Sequence, residues 1–375
     1  MAQFLIIGDP NDLHTRFRVE FLMQRGHGVE LLCEQNEMTR SIKNNGPLPW
    51  IHPKALPYFS WKNRQLRREG AHLITERIGQ IGAQLLLIMY GEPHVGWAYY
   101  HQQFKIPIAL HTYGTDALVT LPQITQAGLL APLRKYLFKR AFAGVQLHVA
   151  SSRKQFETLQ HLSNPRINQQ LVRIGINSKA LDAFKATPSA SKLDRPYVIF
   201  PRMMHPIYNH DIALDAIALL PKEILRAYSF VFIDADSRHT SYTTTIKAKM
   251  DAQADVQFEW LPRLDSIALW TWIQHARLSV QLPATDASAI TALETLYLET
   301  PLLLGPADYD HDLYAGIPRT LLTPQEIANN ITRLLQHGMT QRVSVETLKK
   351  LTDSEAQSLL LENHLLTLIE NNTEF

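Results

Sequence analysis

The sequence is poor in cysteine, which limits the chemistry that it can carry. Cys33 is the single cysteine among 375 residues. One thiol can form neither an internal disulfide nor the thiolate cluster of a structural zinc site, and this usage fits a reducing cytoplasm. Because Cys33 ends the strand-like run VELLC, we expect a buried apolar side chain there rather than a nucleophile.

Long apolar runs are also absent. A membrane-spanning helix needs about 20 consecutive apolar residues, and no run of the sequence approaches that length. The opening residues MAQFLIIGDP lack the basic segment and the long apolar segment of a secretory signal, and they predict a first core strand. We therefore expect a cytoplasmic protein that is soluble or bound peripherally to the inner face of the membrane.

The net charge of +2 hides an asymmetry between the two halves of the chain. Residues 1–186 hold 22 Lys and Arg against 12 Asp and Glu, whereas the remainder holds 15 against 23. Basic residues concentrate in WKNRQLRREG (Trp61 to Gly70) and RKYLFKRAF (Arg134 to Phe142), with aromatic residues interleaved at helical spacing. Such stretches suit either an anionic membrane surface or solvated helix faces. We expect no nucleic-acid partner, because the other half is acidic and no reader motif is present.

Strand-like apolar runs alternate with helical patterns along the chain. FLIIGD, VELLC, AQLLLIMYG, IPIALHTYG and LHVASS come first, and YVIFPR, FVFIDADS, VQFEW, LSVQLP and PLLLG follow. Repeated β–α–β alternation predicts parallel strands with helices on both faces, and the length exceeds that of one core. The predicted fold is α/β, with two Rossmann-like doubly wound domains facing each other across a cleft at the carboxyl ends of both sheets.

A segment of small, polar and proline residues, FKATPSASKLDRP, separates the two sets of strands and is typical of a linker. We predict an amino-terminal domain at 1–186, a linker at 187–196, a carboxyl-terminal domain at 197–350 and a helical segment at 351–375.

The stretch TDASAITALETLYLETPLLLG carries two acids, Asp286 and Glu294, with seven residues between them. Ser288 is a candidate N-cap for a helix over 289–298. Free N–H groups at the start of that helix attract a phosphate near 287–290, and Glu294 offers two acceptors to a vicinal diol such as that of a ribose. The competing interpretation is that both acids only cap and solubilise the helix, although apolar neighbours argue against exposure of Glu294.

Five stretches occur in an order typical of one known family. They are GDPNDLHTRFRVEFLMQRGHGVEL, IPIALHTYGTDAL, RIGIN, FPRMMHPIYNHDIALDA and SVQLPATDASAITALETLYLETP. Together they resemble glycosyltransferase family 4, in the subgroup with the form SDGxxxSxxEAMxxGxP, and the resemblance spans nearly the whole chain. It implies the GT-B fold and a retaining transferase that uses a nucleotide sugar and no metal.

The resemblance also implies a role for each matching residue. Arg202 would hold the donor diphosphate through a permanently charged, bidentate guanidinium. Asp286 would bind hydroxyls of the donor sugar, Glu294 would bind the ribose, and Asp116 would shape the acceptor side; these four are the candidate catalytic residues. The further donor-side candidates are His205, Tyr208, Asn209, Pro262, Arg263, Ala287, Ser288 and Ala289, and those of the acceptor side are Gly8, Asp9, His14, Tyr113 and Gly114.

The expected partners follow from the same resemblance. The donor would be a UDP- or GDP-sugar, and the acceptor would be lipid-linked, a saccharide or a protein; no cofactor or metal is expected. Taken singly, each of His14, His111 and Asp116 is better interpreted as a helix cap or turn residue.

Departures from the family pattern keep other interpretations open. Tyr208 stands where many members have a lysine, with His205 as a substitute, and family glycines are replaced in DADS and by Glu299. A degenerate partner protein that binds a nucleotide sugar without turnover is one alternative. Another is a metal-dependent transferase in which Asp234 and Asp236 ligate Mg²⁺ or Mn²⁺. We interpret ADYDHDLY as a solvated loop rather than a metal site.

Overall fold

The computed structural model describes residues 1–164, 166–234, 239–286, 289–338 and 343–373. Two compact units make up the chain: Met1–Ile174 together with Glu355–Phe375, and Gly175–Ser354.

This division differs from the one that composition suggests. Residues 187–196 lie inside the second unit, and the first unit ends at Ile174. The carboxyl-terminal helix belongs to the first unit, because its Leu361 and Leu365 are buried together with the strands of that unit. A polar segment can be recognised from the sequence, whereas the packing of one helical face decides which core a terminal helix completes.

Each unit contains one parallel sheet. The first has the strand order β2-β1-β3-β4-β5-β6, built from β1 Gln3–Ile7, β2 Gly28–Leu32, β3 Leu85–Met89, β4 Ile108–Thr112, β5 Leu147–Ala150 and β6 Asn168–Leu171. The second has the order β11-β10-β7-β8-β9, built from β7 Tyr197–Phe200, β8 Ser229–Asp234, β9 Phe258–Pro262, β10 Leu278–Gln281 and β11 Leu302–Leu304.

Helices connect the strands of both sheets. In the first unit they are α1 Leu13–Gln24, α2 Gln35–Asn45, α3 Arg64–Ile81, α4 His101–Phe104, α5 Leu121–Gln126, α6 Ala131–Phe142 and α7 Arg153–Leu159. In the second unit they are α8 Ser178–Lys185, α9 His210–Ile217, α10 Lys222–Ala227, α11 Thr240–Asp251, α12 Ser266–Gln274, α13 Ile290–Tyr297, α14 His311–Tyr314, α15 Pro324–His337 and α16 Val345–Thr352; α17 Ser354–Thr373 then returns to the first. Two short 3₁₀ segments, His94–Tyr100 and Pro206–Tyr208, and a π-helical turn, Asp116–Thr120, complete the regular structure.

The strand order of each sheet reverses once. In the first sheet the reversal lies between β1 and β3, and in the second it lies between β7 and β10. β3, β4 and β10 are buried along their whole length, as strands are when helices cover both faces of a parallel sheet. The prediction of doubly wound α/β domains is therefore confirmed, and each reversal marks the place where ligands bind in such sheets.

The two apolar faces of the first sheet are filled by different segments. Cys33 lies on one of them, is 2% exposed and packs with Phe4 and Trp50. Burial raises the pKa of its thiol to about 12, so the prediction of an inert apolar side chain is confirmed.

Over the described residues, no helix combines the length and the apolar character needed to cross a membrane.

Candidate functional site

An ion pair marks the strand reversal of the second sheet. Arg202 follows the carboxyl end of β7, and Asp286 follows that of β10. The Arg202 Nη2 and Asp286 Oδ2 atoms are 3.2 Å apart, and each side chain is 14% exposed. The strand order thus brings together the residues predicted to hold the donor diphosphate and the donor sugar.

Tyr208 fixes the guanidinium of Arg202. Arg202 Nη2 donates a hydrogen bond of 2.6 Å to the Tyr208 hydroxyl, and the guanidinium lies 4.2 Å from the centre of the Tyr208 ring. Burial alone would lower the pKa of Arg202, but Asp286 and Tyr208 raise it above its ordinary value. The residue that stands in place of a lysine therefore orients the remaining cation and adds no charge of its own.

The turn after Tyr208 is braced across the reversal. Asn209 adopts a left-handed conformation with φ 52°, and its Nδ2 donates to the Leu282 carbonyl after β10 over 2.7 Å. His210 is buried and contacts the Arg202 carbonyl through Nε2 over 3.2 Å, and burial lowers the pKa of its imidazole to about 4. His205 Nδ1 accepts the Ile207 N–H over 3.1 Å, which makes it a cap of this turn.

Glu294 lies on the helix that begins beside Asp286, as predicted. That helix, α13, has Ala289 as its buried flanking residue. Trp270 Nε1–H donates to Glu294 Oε1 over 2.9 Å, and burial raises the pKa of the Glu294 carboxyl to about 7 against the opposing effects of Trp270 and Arg202. The carboxyl is thus fixed through one oxygen, and its charge changes near neutral pH.

The other donor-side predictions fall into two groups. Pro262 and Arg263 are exposed at the end of β9, and β8 separates β9 from β7 in the sheet. The structure therefore does not bring them next to Arg202. Ala287 and Ser288 lie outside the described residues.

The loop ADYDHDLY contributes a buried aromatic pair that sequence analysis overlooked. Tyr309 and Asp310 are each 6% exposed, and Tyr314 is 2% exposed, so the interpretation as a solvated loop is wrong for them. The rings of Tyr309 and Tyr314 lie 4.9 Å apart, and Tyr314 donates to the Ala289 carbonyl over 3.5 Å. The five-residue spacing of the tyrosines within an acidic run was the available signal.

Glu299, which stands where the family resemblance implies a glycine, has a backbone conformation that favours glycine. Its φ is 61°, just beyond the carboxyl-terminal end of α13, where a left-handed residue commonly ends a helix. Its side chain pairs with Lys185 Nζ at 2.9 Å and is largely exposed. This position lies at the opposite end of α13 from Ala289, so Glu299 does not obstruct the start of the helix.

In the first unit, Asp116 is fully occupied by backbone groups. Its Oδ2 accepts the Gly91 N–H over 2.7 Å, and its Oδ1 accepts the N–H groups of Gly114 over 2.8 Å and Tyr113 over 3.2 Å. Burial raises the pKa of the carboxyl against these hydrogen bonds. Asp116 thus joins the loops after β3 and β4, which makes it a positioning residue for the groups that those loops present.

His14 stacks on the buried ring of Tyr113, which follows β4. Their rings stack 4.9 Å apart with an interplanar angle of 9°, and the Tyr113 hydroxyl lies 3.0 Å from His111 Nδ1. Burial lowers the pKa of His14, which favours a neutral imidazole at pH 7. The predicted acceptor-side residues therefore include a neutral, aromatic pair.

Gly8 and Asp9 follow β1 on the same edge of the first sheet. A Cβ atom at Gly8 would lie 2.9 Å from Met89 Cβ, so only glycine allows this close approach to β3. Asp9 accepts hydrogen bonds from the Asn11 N–H and side-chain amide and pairs with Arg40 at 2.5 Å. Both residues shape the turn into α1.

Solved structures similar to this chain share its whole fold. Sucrose-phosphate synthase from Thermosynechococcus elongatus is 14% identical, with a TM-score of 0.69 and coverage of 99% of this chain and 100% of that one. A UDP-forming α,α-trehalose-phosphate synthase from Burkholderia xenovorans, in complex with glucose-6-phosphate, is 10% identical, with a TM-score of 0.70 and coverage of 98% and 100%. An E. coli protein described as trehalose-6-phosphate, bound with UDP-2-fluoro glucose, is 11% identical, with a TM-score of 0.68 and coverage of 96% and 98%.

No protein-family model matches the sequence, and no curated protein matches it either. Membership of family 4 within the transferases therefore stays a prediction. The structural likeness covers nearly every residue of the chains compared and accompanies two parallel sheets, each with one reversal of strand order. The chain accordingly has the GT-B fold of the glycosyltransferases.

Proposed function

We propose that this protein is a glycosyltransferase that moves a sugar from a nucleoside-diphosphate sugar to an acceptor hydroxyl, with retention and without a metal. The ion pair of Arg202 and Asp286 at the strand reversal of the second sheet is the observation that carries the proposal. It supplies a fixed cation for the diphosphate at the start of α13, on which Glu294 can bind the ribose. The UDP-sugar analogue and the UDP-forming activity named for two structural neighbours agree with this assignment.

Charge stabilisation would supply most of the catalysis. As the glycosidic bond to the diphosphate breaks, positive charge grows on the sugar ring and negative charge grows on the leaving phosphate. Arg202 and the N–H groups at the start of α13 would stabilise that phosphate, and they are fixed before the reaction begins. The leaving phosphate would accept the proton of the acceptor hydroxyl on the same face of the sugar, which gives retention without a protein nucleophile.

The acceptor would bind at the first sheet. His14, which is partly exposed and stacks on the buried Tyr113, offers an aromatic ring, and aromatic faces suit the apolar faces of sugar rings. A saccharide acceptor agrees with the glucose-6-phosphate bound by one neighbour. A lipid-linked saccharide would use the same surface and would also draw on the basic helices of this unit.

A panel of nucleotide sugars, screened by thermal shift, tests the proposal. A ligand at 100 times its Kd stabilises the folded state by about 2.7 kcal/mol, so one UDP- or GDP-sugar should raise the midpoint clearly. Arg202→Ala should abolish that shift, whereas Arg263→Ala, which removes an exposed arginine at the end of β9, should not. A panel without any shift would contradict the proposal.

Chelation separates the proposed mechanism from the metal-dependent alternative. Asp236 lies outside the described residues, and Asp234 is 3.8 Å from Lys247 Nζ. Within the described ranges, no group of three or more His, Cys, Asp or Glu side chains is placed to hold a metal ion. We expect turnover to survive excess EDTA and Asp236→Asn to change it little. Loss of turnover on chelation, restored by Mn²⁺, would support the Asp-x-Asp alternative instead.

The uncharged Tyr208 favours one second candidate, a partner protein that binds the donor without turnover. Tyr208 leaves Arg202 as the cation of the clamp, and a weaker clamp would stabilise the leaving group less. Tyr208→Lys distinguishes the two functions. Detectable hydrolysis or transfer by this variant but not by the native protein would identify a binding protein, and turnover by both would identify an enzyme.

A further inference from the structure

Asp286 forms an ion pair with Arg202, the arginine that the proposed function assigns to the donor diphosphate. Asp286 Oδ2 is 3.2 Å from Arg202 Nη2, and both side chains are largely buried. Within the part of the chain that the structure describes, Arg202 pairs with no second carboxylate. A diphosphate that binds Nη2 of Arg202 must therefore compete with Asp286 for that nitrogen.

Arg202 has contacts that hold its guanidinium independently of Asp286. The Tyr208 hydroxyl accepts its hydrogen bond, and the Tyr208 ring covers its face at 4.2 Å. Asp286 lies outside helices and strands, after the end of β10. Exchange of the ion pair for a ligand would therefore move the carboxylate and leave the guanidinium in place.

The Tyr309 hydroxyl lies within electrostatic reach of this pair. Tyr309 Oη is buried and has no hydrogen-bonding partner among the described residues. Its ring is fixed by Arg319, 5.0 Å from the ring centre, and by Tyr314, which reaches the start of α13 at Ala289. The Asp286 carboxylate and Arg202 are both close enough to act on its pKa. Because an unsatisfied buried hydroxyl is costly, this one calls for a partner in another state of the site.

On the basis of the proposed function, we propose that Asp286 is a displaceable internal ligand of Arg202 that selects donors carrying a sugar. The diphosphate takes Arg202, and the released carboxylate accepts hydrogen bonds from Tyr309 Oη and from hydroxyls of the donor sugar. A nucleoside diphosphate without a sugar displaces Asp286 equally but offers it no hydroxyl donors. Asp286 therefore disfavours the product relative to the substrate and assists release of the product after transfer.

Binding of inorganic pyrophosphate reports the competition between a diphosphate and Asp286 for Arg202, without a nucleoside or a sugar. Titration calorimetry should show pyrophosphate binding at least about five-fold tighter to Asp286→Asn than to the native protein, because the competing carboxylate charge is removed. Glu299→Gln is the matched control, since it removes an exposed carboxylate that pairs with Lys185 beyond the far end of α13. The control should change pyrophosphate binding less than two-fold in about 0.3 M salt, where exposed charges are screened.

The nucleotide sugar with the largest thermal shift provides the second measurement. In Asp286→Asn, its affinity relative to that of pyrophosphate should fall by about five-fold or more, because the sugar hydroxyls lose a charged acceptor and retain only the weaker amide oxygen. Tyr309→Phe tests the loaded state independently of any change at Asp286. It should leave the unfolding midpoint of the empty protein unchanged or higher and weaken the nucleotide sugar, whereas Tyr314→Phe should leave the ratio of affinities unchanged.

Two results would overturn this inference. One is pyrophosphate affinity that is unchanged or lower in a folded Asp286→Asn protein. The other is a loss of stability in Tyr309→Phe with nucleotide-sugar affinity unchanged, since that pattern indicates a satisfied structural hydroxyl. Failure of the proposed function would differ, because then no nucleotide sugar would bind the native protein, whatever pyrophosphate does in the variants.

Discussion

Burial of Glu294 against Trp270 gives the proposed ribose site a dependence on pH. The carboxyl has a pKa of about 7 in the empty site, whereas a diol donates hydrogen bonds to the charged form. Binding should therefore release a proton near neutral pH and become tighter as the pH rises. The same residue contributes less to folding stability as the pH rises from about 4.5 to about 7, because the folded state favours the protonated carboxyl.

The prediction at this scale compares nucleotide affinity at pH 6 and pH 8. The native protein should bind the nucleotide sugar several-fold tighter at pH 8, and Glu294→Gln should bind weakly with little dependence on pH. The variant should be at least as stable as the native protein at pH 8, because Trp270 can still donate to the amide oxygen. Glu299→Gln serves as the control for an exposed carboxylate. An unchanged affinity in Glu294→Gln would reduce Glu294 to a structural residue.

At the scale of single elements, the backbone conformation just after α13 determines which residue type is favoured there. The helix runs from Ile290 to Tyr297, close to the span of 289–298 predicted from its N-cap and apolar spacing. Glu299 beyond it has a positive φ, which costs a residue with a Cβ atom about 1 kcal/mol or more. The sequence pattern therefore located the helix, and the backbone conformation accounts for the glycine that the family resemblance implies at this position.

Glu299→Gly should stabilise the protein. The expected gain is up to about 1 kcal/mol, since relief of the left-handed strain is offset by the added freedom of glycine in the unfolded chain. The pair with Lys185 is largely exposed and contributes little. Urea denaturation measures the change, with Glu299→Gln as the control that removes the charge and keeps the strain. A glycine variant less stable than the glutamine variant would contradict this account.

At the scale of the whole molecule, the two basic stretches of the sequence lie close together in the first unit. The two basic stretches begin α3 and fill α6, and Trp61 contacts Phe138 with ring centres 5.5 Å apart. They are therefore neighbours on the first unit. Leucines at the start of α6 are exposed beside them, Leu129 fully and Leu130 and Leu133 by about half. Exposed leucines flanked by basic residues suit peripheral binding to an anionic bilayer.

Flotation with liposomes tests this membrane hypothesis. The protein should float with anionic but not neutral vesicles, and about 0.5 M salt should reverse binding. Reversal of Arg64, Arg68, Lys135 and Lys139 to Glu should abolish flotation. Arg67 is left intact because it bonds the Ser60 carbonyl. Lys222→Glu with Arg226→Glu, in the acidic second unit, is the control. Equal flotation of all variants would remove the membrane from the proposal and leave a soluble acceptor.

Features that depend on residues close together in the sequence could be predicted, whereas features that depend on contacts between distant segments could not. The strands could be located because buried parallel strands such as LLLIM at Leu85–Met89 are continuous apolar runs. The approach of Asp286 to Arg202 followed only from the family resemblance, since it depends on the order of strands in the sheet. The burial of Tyr309 and the partner of Glu294 could not be predicted, because both depend on segments that meet only in the folded unit.

Because α17 is synthesised last and belongs to the first unit, the first unit can be completed only after the second has been synthesised. Leu361 and Leu365 complete the core around Phe4 and Ile6, and Glu362 pairs with Arg25 and His27 in the same unit. A chain emerging from the ribosome can finish the second unit while the first still lacks this helix. Nascent chains arrested before α17 would therefore expose apolar surface on the amino-terminal unit, and chaperones would meet the part of the protein that was made first.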